Sequence, residues 1–191
     1  APIDLCDLGL DQIDEDENEF RIGAYATLRQ IETHEALNAY THGAIAESVR
    51  HIVGVQFRNV ATVGGSIWGR FGFSDVLTMF LAMDTEVELY KAGRMPLVEF
   101  AKQIGGRDIL VKLIVHKDKA VYHYQSVRNT QTDFPVLTCA AAKRADTAAC
   151  PSTRPPTMLM VCPMAPGVRA PASLSASSTS NSSRVSQPIG N

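Results

Sequence analysis

The sequence predicts an α+β fold, a mainly antiparallel sheet packed with helices in two layers. Three observations carry that prediction. Several short runs alternate apolar and polar residues between Gly, Asn or Asp turns, others repeat apolar residues at helical spacing, and the two kinds are mixed without regular βα alternation. At 191 residues and 45% hydrophobic content the chain is large enough to bury a core.

The elements follow in order. Ile3 to Leu10 reads as a short strand or extended segment, and the acidic turn "DEDENE" leads into "EFRIGAYATL", which alternates well enough for a second strand. Between Thr33 and Ile52, Ala44, Ile45, Val49 and Ile52 recur at helical intervals, giving two short helices broken near Gly43. The apolar block Val76 to Met83 predicts a buried helix. In "TEVELYKAGRMPL", Val87 and Leu89 alternate with acids up to a Gly turn, which predicts a hairpin. The runs "DILVKLIVHK", "AVYHYQSVR" and "FPVLTCAAAKR" read as further strands. Residues 151–191 then hold seven of the ten prolines, nine serines and no aromatic residue, so no packed structure is expected there.

Charge and cysteine usage exclude several classes. Eight acids and no base lie in residues 1–20, and the bases elsewhere are scattered, so no stripe exists to neutralise phosphates and no nucleic-acid partner is expected. Cys6, Cys139, Cys150 and Cys162 show neither CxxC spacing nor a disulfide-scaffold pattern, which favours reduced thiols in a cytoplasm. No run reaches membrane-span length, so no membrane partner is expected. The five histidines form no HExxH or His/Cys pairing, and no metal site is expected.

The stretch "RNVATVGGSIWGRFGFSD" concentrates the chemistry. It lacks the GxSxG elbow, the GxxxxGK[ST] loop and GxGxxG, so neither a serine hydrolase nor a common phosphate loop is indicated. The Gly pair by itself reads equally well as a hairpin, a bulge or a ligand contact. Taken together, Thr62 and Ser66 offer hydroxyls, the peptide N–H groups around Gly64 and Gly65 can line an anion-binding concavity, and Asp75 can accept from a sugar. A nucleotide-like ligand with a pyrophosphate and a polyol suits that set.

The run "HIVGVQFRNVATVGGSIWGRFGFSDVLTMFLAMDTEVEL" resembles the FAD-binding subunit of the molybdenum hydroxylases, the xanthine dehydrogenase and carbon monoxide dehydrogenase type. Gln56, Arg58, Asn59, Ala61, Thr62, Gly64, Gly65, Ser74 and Asp75 match the family pattern Q-x-R-N-x-[AG]-T-x-G-G-N followed by S-D-L. The likeness extends over about residues 1–143. It implies a PCMH-type FAD-binding fold, incomplete here, with residues 1–100 as its second half, 101–145 as the start of a small C-terminal α+β subdomain, and 146–191 as a disordered or frameshifted tail. It also implies FAD contacts from Thr62, Val63, Gly64, Gly65, Ser66, Ser74 and Asp75, with Val53, Phe57 and Leu110 against the flavin or adenine.

The implied function is electron transfer: a molybdenum-binding subunit hydroxylates its substrate, a [2Fe-2S] subunit carries the electrons, and FAD here passes them to NAD or another acceptor. The absence of a cysteine cluster in this chain agrees with that division. Three departures stand out. Ser66 replaces the family Asn, no Lys stands at Tyr124 or Gln125, and the family's AGGTDL-like loop has no counterpart, so the chain reads as truncated. Two rival readings follow, a remnant that binds no flavin and a flavin oxidase or reductase acting alone.

Overall fold

The computed structural model describes residues 5–103, 106–144 and 157–161, without the side chains of Cys6 and 157–161. Ile13–Glu15 (β1) and Glu19–Gly23 (β2) pair antiparallel, and the acids between them make the turn. Asp16 Oδ1 accepts the N–H groups of Asn18 and Glu19 at 2.8 Å each, and those two donors hold its carboxyl below the usual range.

Four helical segments and a fifth at the loop follow. Leu28–Thr33 (α1) starts with a capping box, in which Thr27 Oγ1 accepts from Gln30 N–H and Gln30 Oε1 accepts from Thr27 N–H. Glu35–Tyr40 (α2) and Ala44–Val49 (α3) are separated at Gly43, whose φ of 80° ends one helix and starts the other. Val55–Arg58 (α4) and Val63–Trp68 (α5) lead to Asp75–Ala82 (α6), which is buried along nearly its whole length. Thr85–Leu89 (β3) and Gly93–Pro96 (β4) form the expected hairpin, and Leu97–Lys102 (α7) closes it. Leu110–His116 (β5), Ala120–Val127 (β6), Leu137–Arg144 (β7) and Thr157–Val161 (β8) complete the order.

Among the described residues two antiparallel sheets result, one ordered β1-β2-β5-β3-β4 and one β6-β7-β8. β5 is therefore the central strand of the first sheet, although it lies beyond the division expected at residue 100. Helices fill the space between: α5 rests on β5, while α3 and α6 pack on β6 and β7. The core draws Phe20, Ile22, Val87 and Leu113 from the first sheet, Ile45, Ile67 and Phe80 from the helices, and Tyr122 and Ala140 from the second sheet. Strict alternation along β3 and β6 gives each strand one buried face, as the two-residue period requires.

Tyr40 joins the layers. Its ring lies 5.5 Å from that of Phe20 and 5.7 Å from that of Tyr122, and its hydroxyl donates to Asp118 Oδ1 at 3.0 Å. Tyr122 donates to the same oxygen at 2.6 Å, and Arg144 Nε donates to Oδ2 at 2.7 Å.

Four sequence expectations are corrected. The described part of Ile3 to Leu10 is a 3-10 turn, Cys6–Leu8, and β1 lies further on. The run "EFRIGAYATL" is a strand only to Gly23, because the Thr27/Gln30 cap starts a helix at Leu28. "VGGS" is neither hairpin nor bulge but the body of α5. Within 151–191, where no packed structure was expected, Thr157–Val161 forms β8 against β7, and the rest of that tail lies outside the described residues.

Candidate functional site

The site begins where two chain segments cross. Thr62 bridges Thr27 in antiparallel fashion, and Leu28 N–H donates to Ala61 O at 2.9 Å. The N–H groups of Val63 and Gly64 donate to Ala26 O and Ala24 O, both at 2.8 Å, which fastens the start of α5 to the chain leaving β2. This approach requires glycine at 64, since a Cβ there would lie 2.5 Å from Ala24 O and 2.7 Å from Ala24 Cβ. Thr62 caps α5 by accepting from Gly65 N–H at 3.1 Å, and Ser66 Oγ donates to Thr62 O at 3.1 Å. The anion-binding concavity expected from the N–H groups around Gly64 and Gly65 is thus corrected: those donors already have partners within the chain.

Gly65 faces the other way and is exposed. It opens, with Thr62 and Ser66, onto a chiefly apolar cleft of about 690 Å³, within the ~300–1,000 Å³ usual for small-molecule sites. Ser74 and Asp75 line the cleft from the start of α6, and Val53 and Phe57 line it from the turn before α4 and from α4 itself. Seven of the residues singled out in the sequence therefore share one cleft. Val63 and Gly64 are buried behind it, and Leu110 is buried at the start of β5 opposite Leu89 and is not among the lining residues.

Arg58 explains how Val53 and Phe57 are held. Its side chain is 6% exposed and forms a fork on Glu32, with Nε to Oε2 at 2.9 Å and Nη2 to Oε1 at 3.1 Å, while Nη1 donates to Ile52 O at 3.2 Å. Burial pushes the Glu32 carboxyl up, but the hydrogen bonds from Arg58 and Arg29 outweigh it and leave the group below its ordinary value. The next residue, Val53, has φ +50°, a strained conformation for a β-branched side chain.

Ser74 Oγ accepts Leu77 N–H at 3.2 Å, capping α6, and donates to Ser66 O at 3.4 Å. Asp75 is 5% exposed and accepts from the Tyr124 hydroxyl and from Arg128. Burial and then the Asp75 charge push the Tyr124 hydroxyl far up, so it remains a donor.

Sequence reasoning missed Arg128, Thr132 and Asp133 in this wall, and also Phe71, Phe73 and Phe134. Phe71 and Phe73 are stacked with centroids 5.1 Å apart, and Phe134 lies 4.7 Å from Phe73. The spacing "FGF" beside "SD" was a usable signal for the first pair. Arg128 reaches Asp75 across 53 residues, a contact that no local pattern marked. Among the described residues, no group of three or more His, Cys, Asp or Glu side chains is placed to hold a metal ion, and no helix is long and apolar enough to cross a membrane.

Residues 1–117 match the family described as the FAD binding domain in molybdopterin dehydrogenase. The chain is 26% identical over 140 residues to the uncharacterized protein YgfM of Escherichia coli (strain K12), covering 73% of this chain and 52% of that protein. It is similar in fold to the carbon monoxide dehydrogenase from Hydrogenophaga pseudoflava, with a TM-score of 0.64 and 20% identity over 72% of this chain and 51% of that one. It is likewise similar to quinoline 2-oxidoreductase from Pseudomonas putida 86, with a TM-score of 0.62 and 17% identity over 70% and 50%. The chain spans about half the length of the curated relatives it matches.

Proposed function

This chain belongs to the family of FAD-binding domains of molybdopterin dehydrogenases, the molybdenum hydroxylase group, and on that premise we propose that it holds FAD in the cleft as an electron-transfer subunit. The observation that carries this reading is the convergence of Thr62, Gly65, Ser66, Ser74, Asp75, Val53 and Phe57 on that cleft. The residues fit the cofactor. Gly65 presents a backbone face without a side chain, Thr62 and Ser66 bring hydroxyls beside it, and Val53 and Phe57 supply an apolar wall for a planar ring. In this proposal Val63, Gly64 and Leu110 support the site from behind.

When bound, FAD supplies the redox chemistry, while the protein binds and orients it. The proposed route runs from a molybdenum-binding subunit through a [2Fe-2S] subunit to this chain and on to NAD or another acceptor, in a xanthine dehydrogenase-like enzyme of the cytoplasm. Within it, residues up to 117 form the flavin-binding unit, and β6 and β7 open a C-terminal subdomain. A second reading, a non-catalytic piece that holds no flavin by itself, draws on one observation, the coverage of only about half of the relatives' length.

Replacing Gly65 tests the cleft assignment. After incubation with FAD and desalting, Gly65→Val is expected to lose the flavin that the unsubstituted chain retains, because the branched side chain fills the approach beside Thr62. Equal flavin retention in the two proteins would overturn the assignment.

A further inference from the structure

Two residues after Trp68 ends α5, Arg70 has φ +50°, a region that L side chains enter at a cost and keep where the surroundings hold them. Aromatic stacking and one hydrogen bond hold this one. The guanidinium carbon lies 4.0 Å from the centre of the Phe100 ring and 5.1 Å from that of Trp68, and Nε donates to Phe100 O at 3.1 Å. Among the described residues Nη1 and Nη2 have no hydrogen-bond partner, and neither is buried, so both donors are open to solvent from a fixed position.

Trp68, Arg70 and Phe100 line a second cavity, of about 340 Å³, which shares no lining residue with the cleft. Lys91, on the turn between β3 and β4, and Arg107, ahead of β5, line it too, and both are exposed. Asp108 is the acid in this wall, and its carboxylate is already engaged. Oδ1 accepts from the N–H groups of Lys91 and Ile109 at 2.9 and 2.8 Å, and Oδ2 accepts from Ala92 N–H at 2.9 Å. Three cations therefore face one anion, a surplus of two positive charges.

That surplus narrows the ligand class. A carboxylate brings a single negative charge, whereas a phosphate monoester brings ~1.5 to 2 at pH 7 together with three strong acceptor oxygens. The paired donors of a guanidinium match those oxygens. The cavity lies at the low end of the ~300–1,000 Å³ usual for small-molecule sites, and Leu89 and Trp68 give it an apolar side, so an organic body fits beside the phosphate.

We propose that this cavity binds a small phosphate monoester, with the Arg70 Nη groups donating to the phosphate oxygens and Lys91 and Arg107 adding charge around them. The assignment goes beyond the flavin reading and stands without it, because the two sites share no lining residue.

Trp68 is the one tryptophan of the chain and lines the cavity, so its fluorescence reports occupancy. The test is a fluorescence titration of the full chain, with no FAD added, using phenyl phosphate, inorganic phosphate and benzoate. Phenyl phosphate is expected to give a saturable change, and to bind more tightly than inorganic phosphate and at least about tenfold more tightly than benzoate. Arg70→Gln is expected to weaken phenyl phosphate by at least about tenfold, the loss of charged hydrogen bonds. Lys91→Gln and Arg107→Gln each remove one exposed charge and are expected to weaken it about threefold. No saturable response to phenyl phosphate overturns the proposal, as does an affinity no tighter than that for benzoate or inorganic phosphate, or an affinity unchanged in Arg70→Gln. Should Arg70→Gln fail to fold by circular dichroism, the double variant Lys91→Gln/Arg107→Gln decides, and phenyl phosphate affinity unchanged in it overturns the assignment. FAD retention after desalting is measured beside these titrations. A chain that retains FAD and does not bind phenyl phosphate overturns this assignment alone, whereas one that binds phenyl phosphate and retains no FAD upholds it and overturns the flavin reading.

Discussion

Gly64 and Gly65 are adjacent, and the structure gives them opposite tasks. The first lets α5 lie against Ala24, and the second leaves the cleft open beside Thr62. Gly64→Ala is accordingly expected to cost about 1–3 kcal/mol as an overpacked contact, read as a lower urea midpoint with no FAD present. Unchanged stability would mean that α5 does not press on Ala24 as described. Thr62→Val removes the cap on α5 and is expected to cost about 1 kcal/mol in the same measurement. The pair of glycines was legible in the sequence as a place where backbone approaches something closely. Which glycine approaches the protein and which the cleft was not, because Ala24 lies 40 residues away and only the crossing at Thr27 and Thr62 brings it near.

Among the elements, α4 depends on a buried ion pair. Arg58 and Glu32 are 6% and 13% exposed, so removing one partner strands a charge. Glu32→Gln is expected to destabilise the chain by about 3 kcal/mol. The pH dependence has a definite sign. The folded-state value of Glu32 lies below its ordinary 4.5, so its contribution is fully present above that pH and is lost as pH falls through the lower folded value. Urea unfolding at a series of pH values from 7 down to the acid limb should show a shallower acid loss in Glu32→Gln, and an identical slope would remove Glu32 from the account. At this scale the alternating runs identified β2, β3, β5, β6 and β7, and the apolar block identified α6. α5 escaped because Gly costs helix propensity, about 1 kcal/mol relative to Ala, and tertiary hydrogen bonds to Ala24 and Ala26 override it. α1 escaped because its cap at Thr27 sits inside a stretch that alternates like a strand.

For the molecule as a whole, Asp118 fastens the helical layer to the second sheet. Burial raises its carboxyl, but the Tyr122 hydrogen bond and the Arg144 charge prevail and hold it below the usual range. Tyr122→Phe removes one donor to that carboxylate and is expected to lower stability by about 1 kcal/mol at neutral pH, while Tyr40 and Arg144 keep the joint assembled. Stability equal to that of the unsubstituted chain would show that the joint carries little. The mixture of helices and antiparallel strands was readable from period alone. The strand order was not, since β5 enters between β2 and β3 through pairings that span about 90 residues in one direction and reverse the local sequence order in the other. The cleft shares this character: its Thr62 and Asp75 side carried a recognisable pattern, whereas Arg128 and Phe134 arrive on the connection between β6 and β7.

The central claim is that this cleft holds flavin, and the most direct measurement is the visible absorption spectrum of the purified chain after incubation with FAD and desalting. A retained flavin band that disappears in Gly65→Val is the predicted result. A colourless protein, still folded by circular dichroism, would contradict it.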